Sequence, residues 1–378
     1  MAPFGVYVHI PICARRCDYC AFATWTDRGA LMPDYAAACR AEIERAGLAP
    51  ASSVFFGGGT PSLLPARLLT GILDAVDRAP GAEVTVECNP ENVTIDLLAA
   101  YRAAGVNRVS FGVQSLAPHV LKGLGRTHDP AAVDRAVAAA RTVGMERVNL
   151  DLIYGGAGER DEDWEATVRG ALALGPTHIS AYALTIEPGT PLAADESRHP
   201  DDDVQADRYL VADALLAEAG LVNYEISNWA RPGDECRHNL LYWRQGDYRG
   251  IGCAAHSHED GRRWWNVRTP ERYIAAVASG SSSVAASETL TPEQRVTEGW
   301  RLSLRTSDGA PAEAFGPSDF ALLGERGLVV RCDDRVVLTA TGRLLANQVA
   351  MYLRDVSPEG GDDDLHAHVE QIVVPALG

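Results

Sequence analysis

Residues 7–22 read YVHIPICARRCDYCAF, a short apolar run followed by Cys13, Cys17 and Cys20 in the spacing C-x3-C-x2-C. Three thiolates can hold three irons of a four-iron, four-sulfur cube and leave the fourth iron without a protein ligand. An open metal position is where a substrate binds. No further cysteine follows before Cys39. The spacing therefore predicts a [4Fe-4S] cluster with one open iron.

Two other uses of these cysteines are weaker. A disulfide framework is not expected, because eight cysteines are scattered over 378 residues and no signal peptide precedes them. A structural zinc site usually has four closed ligands, and His9 could complete such a set only by leaving its own strand. Zinc is the runner-up to the cluster.

Composition narrows the class of partner. The formal charge of −17 disfavours nonspecific binding of nucleic acid, because a polyphosphate would be repelled. The uncharged stretch 47–66 contains prolines and glycines that a membrane-spanning helix does not easily tolerate, so no transmembrane segment is expected. With no targeting signal either, we expect a cytoplasmic protein.

Short β-branched runs alternate with helical stretches over the first two hundred residues, a pattern typical of parallel strands joined by crossover helices. This α/β pattern predicts a partial (β/α)6 barrel of the TIM type; a doubly wound open sheet is the alternative. In both folds ligands bind beyond the carboxyl ends of the strands. The predicted strands are 5–9, 53–56, 83–88, 108–113, 147–152 and 178–184, and the predicted helices are 33–46, 65–78, 95–104, 131–143, 162–174 and 203–219.

Three regions are predicted along the chain. Residues 1–220 form the barrel, 221–285 a junction rich in Trp, Tyr and Gly, and 286–378 a small C-terminal accessory domain with a hairpin at 327–332 and 336–338. Within that last region the acidic stretch 357–364 is typical of a flexible linker.

Polar residues follow the predicted strands one after another. The Gly-rich run 57–61 (GGGTP) permits close approach of backbone amides to a ligand. Taken singly, Glu87, Gln114, Arg126 and Asp151 would each be interpreted as an ordinary helix cap or a solvated side chain. Together, at the same end of consecutive strands, they predict a binding site, which comprises Gly59, Thr60, Glu87, Gln114, Arg126 and Asp151.

These motifs resemble the coproporphyrinogen oxidase-like branch of the radical S-adenosylmethionine (SAM) superfamily. The matching runs are YVHIPxCx3Cx2C, GGGTP, ECNPE, SxGVQ, RTH and NxDLIYG in the barrel, with further similarity at 184–190, 224–230 and 250–257. The resemblance implies that the three cysteines bind the cluster. It also implies that SAM is surrounded by Tyr7, Tyr19, Gly59, Thr60, Glu87, Gln114, Arg126 and Asp151.

Within that branch the chain is most similar to the HemW-type heme chaperones. The oxidases carry a fourth cysteine where Phe22 stands here, and an N-terminal arm before the first strand, so the resemblance disfavours oxidase activity. The run HNLLYW at 238–243 matches a chaperone signature and implies contact of His238, Tyr242 and Trp243 with heme, although a buried structural histidine is the ordinary interpretation of such a run. His256 and Cys236 are competing ligands. The implied partners are apo-hemoproteins such as respiratory cytochromes, reached through a transient membrane contact at most.

Two loops depart from the relatives' pattern. GGAGE at 155–159 replaces a glycine-proline-glycine turn, and CAAH at 253–256 replaces proline-glycine-alanine-histidine. These departures leave a second hypothesis open: a radical SAM enzyme acting on a porphyrinogen or a secondary metabolite, as an oxidase, methyltransferase or cyclopropane-forming enzyme.

Overall fold

The computed structural model describes residues 2–126, 128–354 and 356, so the acidic stretch 357–364 lies outside the described residues. Six parallel strands form its centre, and most of them are rich in buried β-branched or aromatic residues. They are β1 (Phe4–Ile10), β2 (Ala51–Gly58), β3 (Arg78–Cys88), β4 (Arg108–Gln114), β5 (Arg147–Tyr154) and β6 (His178–Ala183).

The order of these strands decides between the two predicted architectures. In space they follow one another from β1 to β6 with no reversal, each parallel to the next. A doubly wound sheet reverses its strand order at a switch point, whereas a barrel does not. The partial barrel is therefore the correct prediction.

Further strands extend the sheet on both sides. On the β6 side it continues as β6-β8-β7, and on the β1 side as β1-β9-β10-β11-β12, with β9 still parallel to β1. The Trp- and Gly-rich region 221–285 thus contributes strands to the barrel's own sheet. The division of the chain into three domains stays a prediction. The added strands are β7 (Val222–Glu225), β8 (Asn228–Ala230), β9 (Asp247–Ile251), β10 (His256–Glu259), β11 (Arg262–Asn266) and β12 (Val284–Thr289).

Amphipathic helices cover the outer face of the sheet. The first begins with Pro33 in its first turn and ends at Gly47, whose φ of 58° suits a left-handed cap. The helix predicted at 65–78 is shorter than expected, because the chain turns at Val76 and Arg78 already begins β3. The helices of this part are α1 (Met32–Ala46), α2 (Ala66–Asp74), α3 (Ile95–Ala104), α4 (Pro118–Gly123), α5 (Ala131–Thr142), α6 (Asp161–Ala173), α7 (Asp202–Glu218), α8 (Arg237–Trp243) and α9 (Pro270–Ala278).

The last part of the described chain has a hydrophobic cluster of its own, with Phe315, Leu323, Val336 and Val349 among its buried members. The predicted hairpin is present there. Its elements are α10 (Pro292–Leu304), β13 (Ala310–Pro311), α11 (Pro317–Glu325), β14 (Val329–Cys332), β15 (Arg335–Leu338), α12 (Ala340–Leu344) and α13 (Ala346–Ala350). Within residues 2–126 and 128–354, no helix combines the length and apolar sequence needed to cross a bilayer.

Candidate functional site

The cysteine loop lies over the carboxyl ends of the strands and is fixed at its base by backbone hydrogen bonds. The Cys13 N–H donates to the Trp25 carbonyl (3.1 Å), and the Trp25 N–H donates to the Pro11 carbonyl (2.8 Å). On the far side, Asp18 accepts from Arg198 (2.8 Å). The loop is therefore held by protein contacts both at its base and at Asp18.

This loop closes one side of a cavity, here called the cysteine pocket, of about 650 Å³ including its open mouth. The described residues contain no group of three or more His, Cys, Asp or Glu gathered closely enough to hold a single metal ion. A four-iron cluster takes one thiolate per iron, so its cysteines need to border one space rather than converge on one point. The pocket brings together Cys13, Cys17, Cys20, Tyr19, Gly59, Thr60, Glu87, Gln114, Arg126 and Asp151 of the predicted residues.

The glycine run lies against the cysteine loop. The N–H groups of Gly59 and Thr60 donate to the carbonyls of Ile10 and Ile12, both at 2.8 Å. A Cβ on Gly59 would lie 2.6 Å from the Ile12 oxygen and 3.1 Å from the Cys13 sulfur, so only glycine fits. The Thr60 hydroxyl donates to the Cys13 sulfur (3.8 Å). This hydrogen bond favours a thiolate at Cys13, whereas burial, the larger effect, raises the pKa of the thiol.

Two partly buried carboxyl groups face the same pocket. The Glu87 carboxylate accepts from the Gly58 N–H (3.1 Å), and burial together with the nearby charge of Asp151 raises its pKa well above the usual range. Burial also raises the pKa of Asp151, whose oxygens accept from Ser110 and Asn149, each at 2.6 Å. Both groups can accept hydrogen bonds from hydroxyl or ammonium groups of a ligand, which would favour their charged forms.

Arg126 supplies the cation of the pocket. Its guanidinium donates to Asn89 Oδ1 (3.0 Å), and Asn89 in turn donates to Thr60 (3.3 Å). The buried Arg126 Nε has no hydrogen-bond partner among the described residues, so the pocket retains an unused donor. Gln114, at the end of β4, has a φ of 63°, a left-handed conformation that is uncommon for glutamine and is concentrated at functional sites.

Sequence reasoning missed several residues of this pocket. Asn89 belongs to the quoted ECNPE run, and its position one residue after β3 could have indicated it. Arg15 and Arg16 add positive charge at the mouth, as their place inside the cysteine run suggests. Gly112 is the glycine of the quoted SxGVQ run, and a Cβ there would lie 2.7 Å from the Arg126 guanidinium.

A second cavity, here called the aromatic pocket, adjoins the first and measures about 720 Å³ including its mouth. Phe22 lines both cavities. Tyr7, predicted beside SAM, lies in this second pocket, where its hydroxyl shares a hydrogen bond with His9 Nδ1 (3.1 Å). The rest of its wall is formed by Ala21, Ala23, Tyr242, Tyr248, Ala254, His256 and Arg268.

The HNLLYW run forms α8, which crosses the amino ends of the strands. His238 is 1% exposed, and its ring nitrogens share hydrogen bonds with Ser53 Oγ (2.9 Å) and the Tyr242 hydroxyl (2.8 Å). Burial lowers its pKa to about 3. Of the run, Tyr242 lines the aromatic pocket, whereas Trp243 packs in a separate buried cluster with Leu302.

The two competing heme ligands differ in position. Cys236 is buried, and its thiol donates to the Glu83 carboxylate (3.6 Å) below the strands. His256 is partly exposed in the aromatic pocket, where its ring stacks on Trp265 at 5.6 Å. Of these two side chains, the structure brings only His256 to a cavity.

Comparisons with known proteins fit this arrangement. Residues 7–171 match the sequence profile of the Radical SAM superfamily. The heme chaperone HemW of Mycobacterium tuberculosis (strain H37Rv) is 45% identical over 93% of this chain and 95% of that protein. HemW of Escherichia coli (strain K12) is 35% identical over 92% of this chain and 97% of its own. The solved structure of coproporphyrinogen III oxidase (HemN) from Escherichia coli, a radical SAM enzyme, matches with a TM-score of 0.81 and 25% identity, covering 94% of this chain and 90% of that one.

Proposed function

Because this chain belongs to the HemW family of heme chaperones within the radical SAM superfamily, we propose that it binds a [4Fe-4S] cluster, SAM and heme, and delivers heme to apo-hemoproteins such as respiratory cytochromes. The observation that carries this proposal is the gathering of three thiols, two carboxyls and an arginine around one cavity. We place this activity in the cytoplasm, where thiols stay reduced.

Cys13, Cys17 and Cys20 would hold the cluster. Burial, together with the smaller effect of the neighbouring Cys17, raises the pKa of the Cys20 thiol to about 11. The exposed guanidinium of Arg16 binds the Cys20 carbonyl (3.3 Å), which puts a positive charge beside the loop where thiolates form. When bound, the cluster supplies an electron donor and an open iron for the amino acid end of SAM.

The other residues of the cysteine pocket would orient SAM. Arg126 is suited to its carboxylate, since a guanidinium binds carboxylates with two parallel hydrogen bonds. Glu87 and Asp151 are suited to the ammonium and ribose hydroxyl groups. Gly59 and Thr60 allow the ligand to approach the backbone closely, while Tyr19 and Gln114 border the remaining space.

Heme binding is assigned to the region of the HNLLYW run, which includes His238, Tyr242 and Trp243. Aromatic side chains suit a flat macrocycle, and histidine is a common axial ligand of heme iron.

A radical SAM enzyme is the second candidate. It is favoured by one observation: Phe22 lines both pockets, so a substrate in the aromatic pocket would lie next to a ligand in the cysteine pocket. Such an enzyme would abstract hydrogen from a porphyrinogen or a smaller metabolite. The sequence departure at 253–255 touches the aromatic pocket through Ala254, which has a φ of 56°.

The two candidate functions can be distinguished with protein that is purified without oxygen and reconstituted with the cluster. Heme is then titrated and followed by its Soret absorption, and coproporphyrinogen is incubated with SAM and a reductant for product analysis. We expect saturable heme binding, transfer of heme to an apo-cytochrome, and no porphyrinogen product. Conversion of coproporphyrinogen without saturable heme binding would contradict the chaperone proposal.

A further inference from the structure

The geometry points to the aromatic pocket as the heme site, with His256 as the axial imidazole. It also makes His238 a positioning residue, which holds Tyr242 at the pocket wall. This inference rests on the proposed heme binding and specifies where the macrocycle lies and which side chain meets its iron.

His238 is separated from the cavity by a layer of rings. The Phe55 ring stacks on the imidazole, with centroids 5.4 Å apart and an interplanar angle of 25°, and Tyr7, which lines the pocket, also stacks on Phe55, with centroids 6.4 Å apart. On β1, a Cβ at Gly5 would lie 3.1 Å from the His238 ring. The imidazole is thus enclosed by β1, β2 and its own helix, and iron could reach it only after α8 had moved.

The hydrogen bonds of His238 indicate a positioning role. Ser53 on β2 binds one ring nitrogen and the Tyr242 hydroxyl binds the other, so the imidazole links the sheet to a residue of the pocket wall. Tyr242 also meets Tyr248 edge to face at 4.6 Å. Burial raises the pKa of Tyr242 well above its usual value, which keeps the hydroxyl protonated and disfavours a tyrosinate ligand.

The pocket itself has the chemistry of a heme site. Its empty space of about 720 Å³ includes the open mouth, so the pocket is a cleft that a ligand can enter from solvent. The edges of the largely buried rings of Tyr7, Tyr242 and Tyr248 border it beside the partly exposed Phe22, and the partly exposed His256 contributes an imidazole. The exposed guanidinium of Arg268 stands at the rim, where the two carboxylates of heme would meet water.

The full-length protein is titrated with ferric heme, and each complex is examined by visible absorption and electron paramagnetic resonance. We expect His256→Ala to lower the affinity at least tenfold and to remove the imidazole signature. We expect His238→Gln, which keeps a hydrogen-bonding side chain, to retain that signature with an affinity within threefold of the parent. His119→Ala, on a different face of the barrel, is the matched control for loss of a histidine.

Retention of the imidazole signature in His256→Ala, or its loss in a folded His238→Gln protein, overturns the inference while leaving heme binding intact. A tyrosinate-type spectrum in the parent protein overturns it as well. Absence of saturable binding in the parent overturns the proposed function instead, so the two failures are distinct. Circular dichroism of each variant confirms that the compared proteins are folded.

Arg268 provides a second, independent readout. Arg268→Gln should weaken binding of heme about tenfold, as expected for a lost charge-assisted contact, and should leave binding of heme dimethyl ester unchanged. Equal weakening with both ligands would place the carboxylates elsewhere and contradict this orientation of the macrocycle.

Discussion

Both ends of the parallel strands carry polar side chains, but these side chains have different surroundings. At the carboxyl ends, Glu87 and Asp151 border a cavity. At the amino ends, Glu83 and His238 are buried and bind protein groups: the Glu83 carboxylate accepts from the His238 N–H (3.2 Å). Helix α8 covers that end of the sheet. The carboxyl ends of the strands therefore border a ligand site, whereas the amino ends are held together by buried hydrogen bonds.

Strand β3 shows the difference within a single element. Glu83 and Glu87 are four residues apart on the same face of the strand, about 13 Å along it at the usual rise per residue. One is fully buried beneath α8, and the other faces the cysteine pocket. The role of an inward-facing acid in a barrel strand thus depends on its position along that strand.

The largest expected effect is at the carboxyl ends. Cys17→Ser should abolish the iron-sulfur cluster, because two thiolates and a hydroxyl are a poor ligand set for it. Iron and sulfide content and visible absorbance after anaerobic reconstitution measure the loss. Cys332→Ser, at an exposed cysteine of the C-terminal hairpin, is the control and should keep a full cluster. A full cluster in the Cys17→Ser protein would remove the cysteine loop from the site.

At the amino ends the largest effect should be on stability. Glu83→Ala leaves the His238 N–H and the buried Arg108 guanidinium without this carboxylate, so we expect unfolding to become easier by about 3 kcal/mol. Urea unfolding measures the change, and Glu218→Ala, on the exposed face of α7, is the matched control. If Glu83→Ala lowered SAM affinity and left stability unchanged, the assignment of ligand binding to the carboxyl ends and of stability to the amino ends would be contradicted.

The sequence predicts the barrel well because each of its six central strands is a compact buried run followed by a helix. It also predicts ten of the residues around the cysteine pocket. Residues that follow parallel strands at their carboxyl ends all lie at the same end of the barrel, which makes their proximity predictable. Strands β9 to β11 were not predicted. Their Trp- and Gly-rich sequence lacks a clear alternation, and their pairing depends on an approach to β1 from far along the chain.

The same long-range packing explains why the place of His238 could not be predicted. The HNLLYW run indicates aromatic surroundings, but nothing in it specifies whether the imidazole faces a ligand or Ser53, which is 185 residues away. Phe22 is a contrasting case. The sequence marks it only as the residue that stands where the related oxidases carry a fourth cysteine, and the structure shows that it lines two cavities.

A smaller effect should appear in the pH dependence of stability. Burial lowers the pKa of folded His238 to about 3, whereas an unfolded histidine titrates near about 6.5. Below pH 6.5 the unfolded chain binds a proton that the folded chain does not, so His238 destabilises the protein as the pH falls. Between pH 7 and pH 5 this loss amounts to about 2 kcal/mol.

His238→Gln removes this titration. The difference in unfolding free energy between parent and variant should therefore shrink by about 2 kcal/mol between pH 7 and pH 5. His9, whose pKa burial lowers to about 4, is present in both proteins and cancels from the comparison. A difference that stays constant with pH would mean that the ring is accessible to protons and that α8 does not close this end of the sheet.

The smallest expected effect is at the carboxyl ends, where a substitution changes the geometry of the Arg126 side chain but keeps its charge. Arg126→Lys keeps the cation but loses the planar fork that binds Asn89 and the Gly112 carbonyl, so SAM affinity should fall about tenfold. Calorimetry on the reconstituted protein measures it, with Arg102→Lys on the exposed face of α3 as the control. Cluster content should stay unchanged, because Arg126 belongs to the part of the pocket beyond the cysteine loop. Unchanged SAM affinity would show that a point charge suffices there, and that Asn89 holds Arg126 in place without preparing it for a carboxylate.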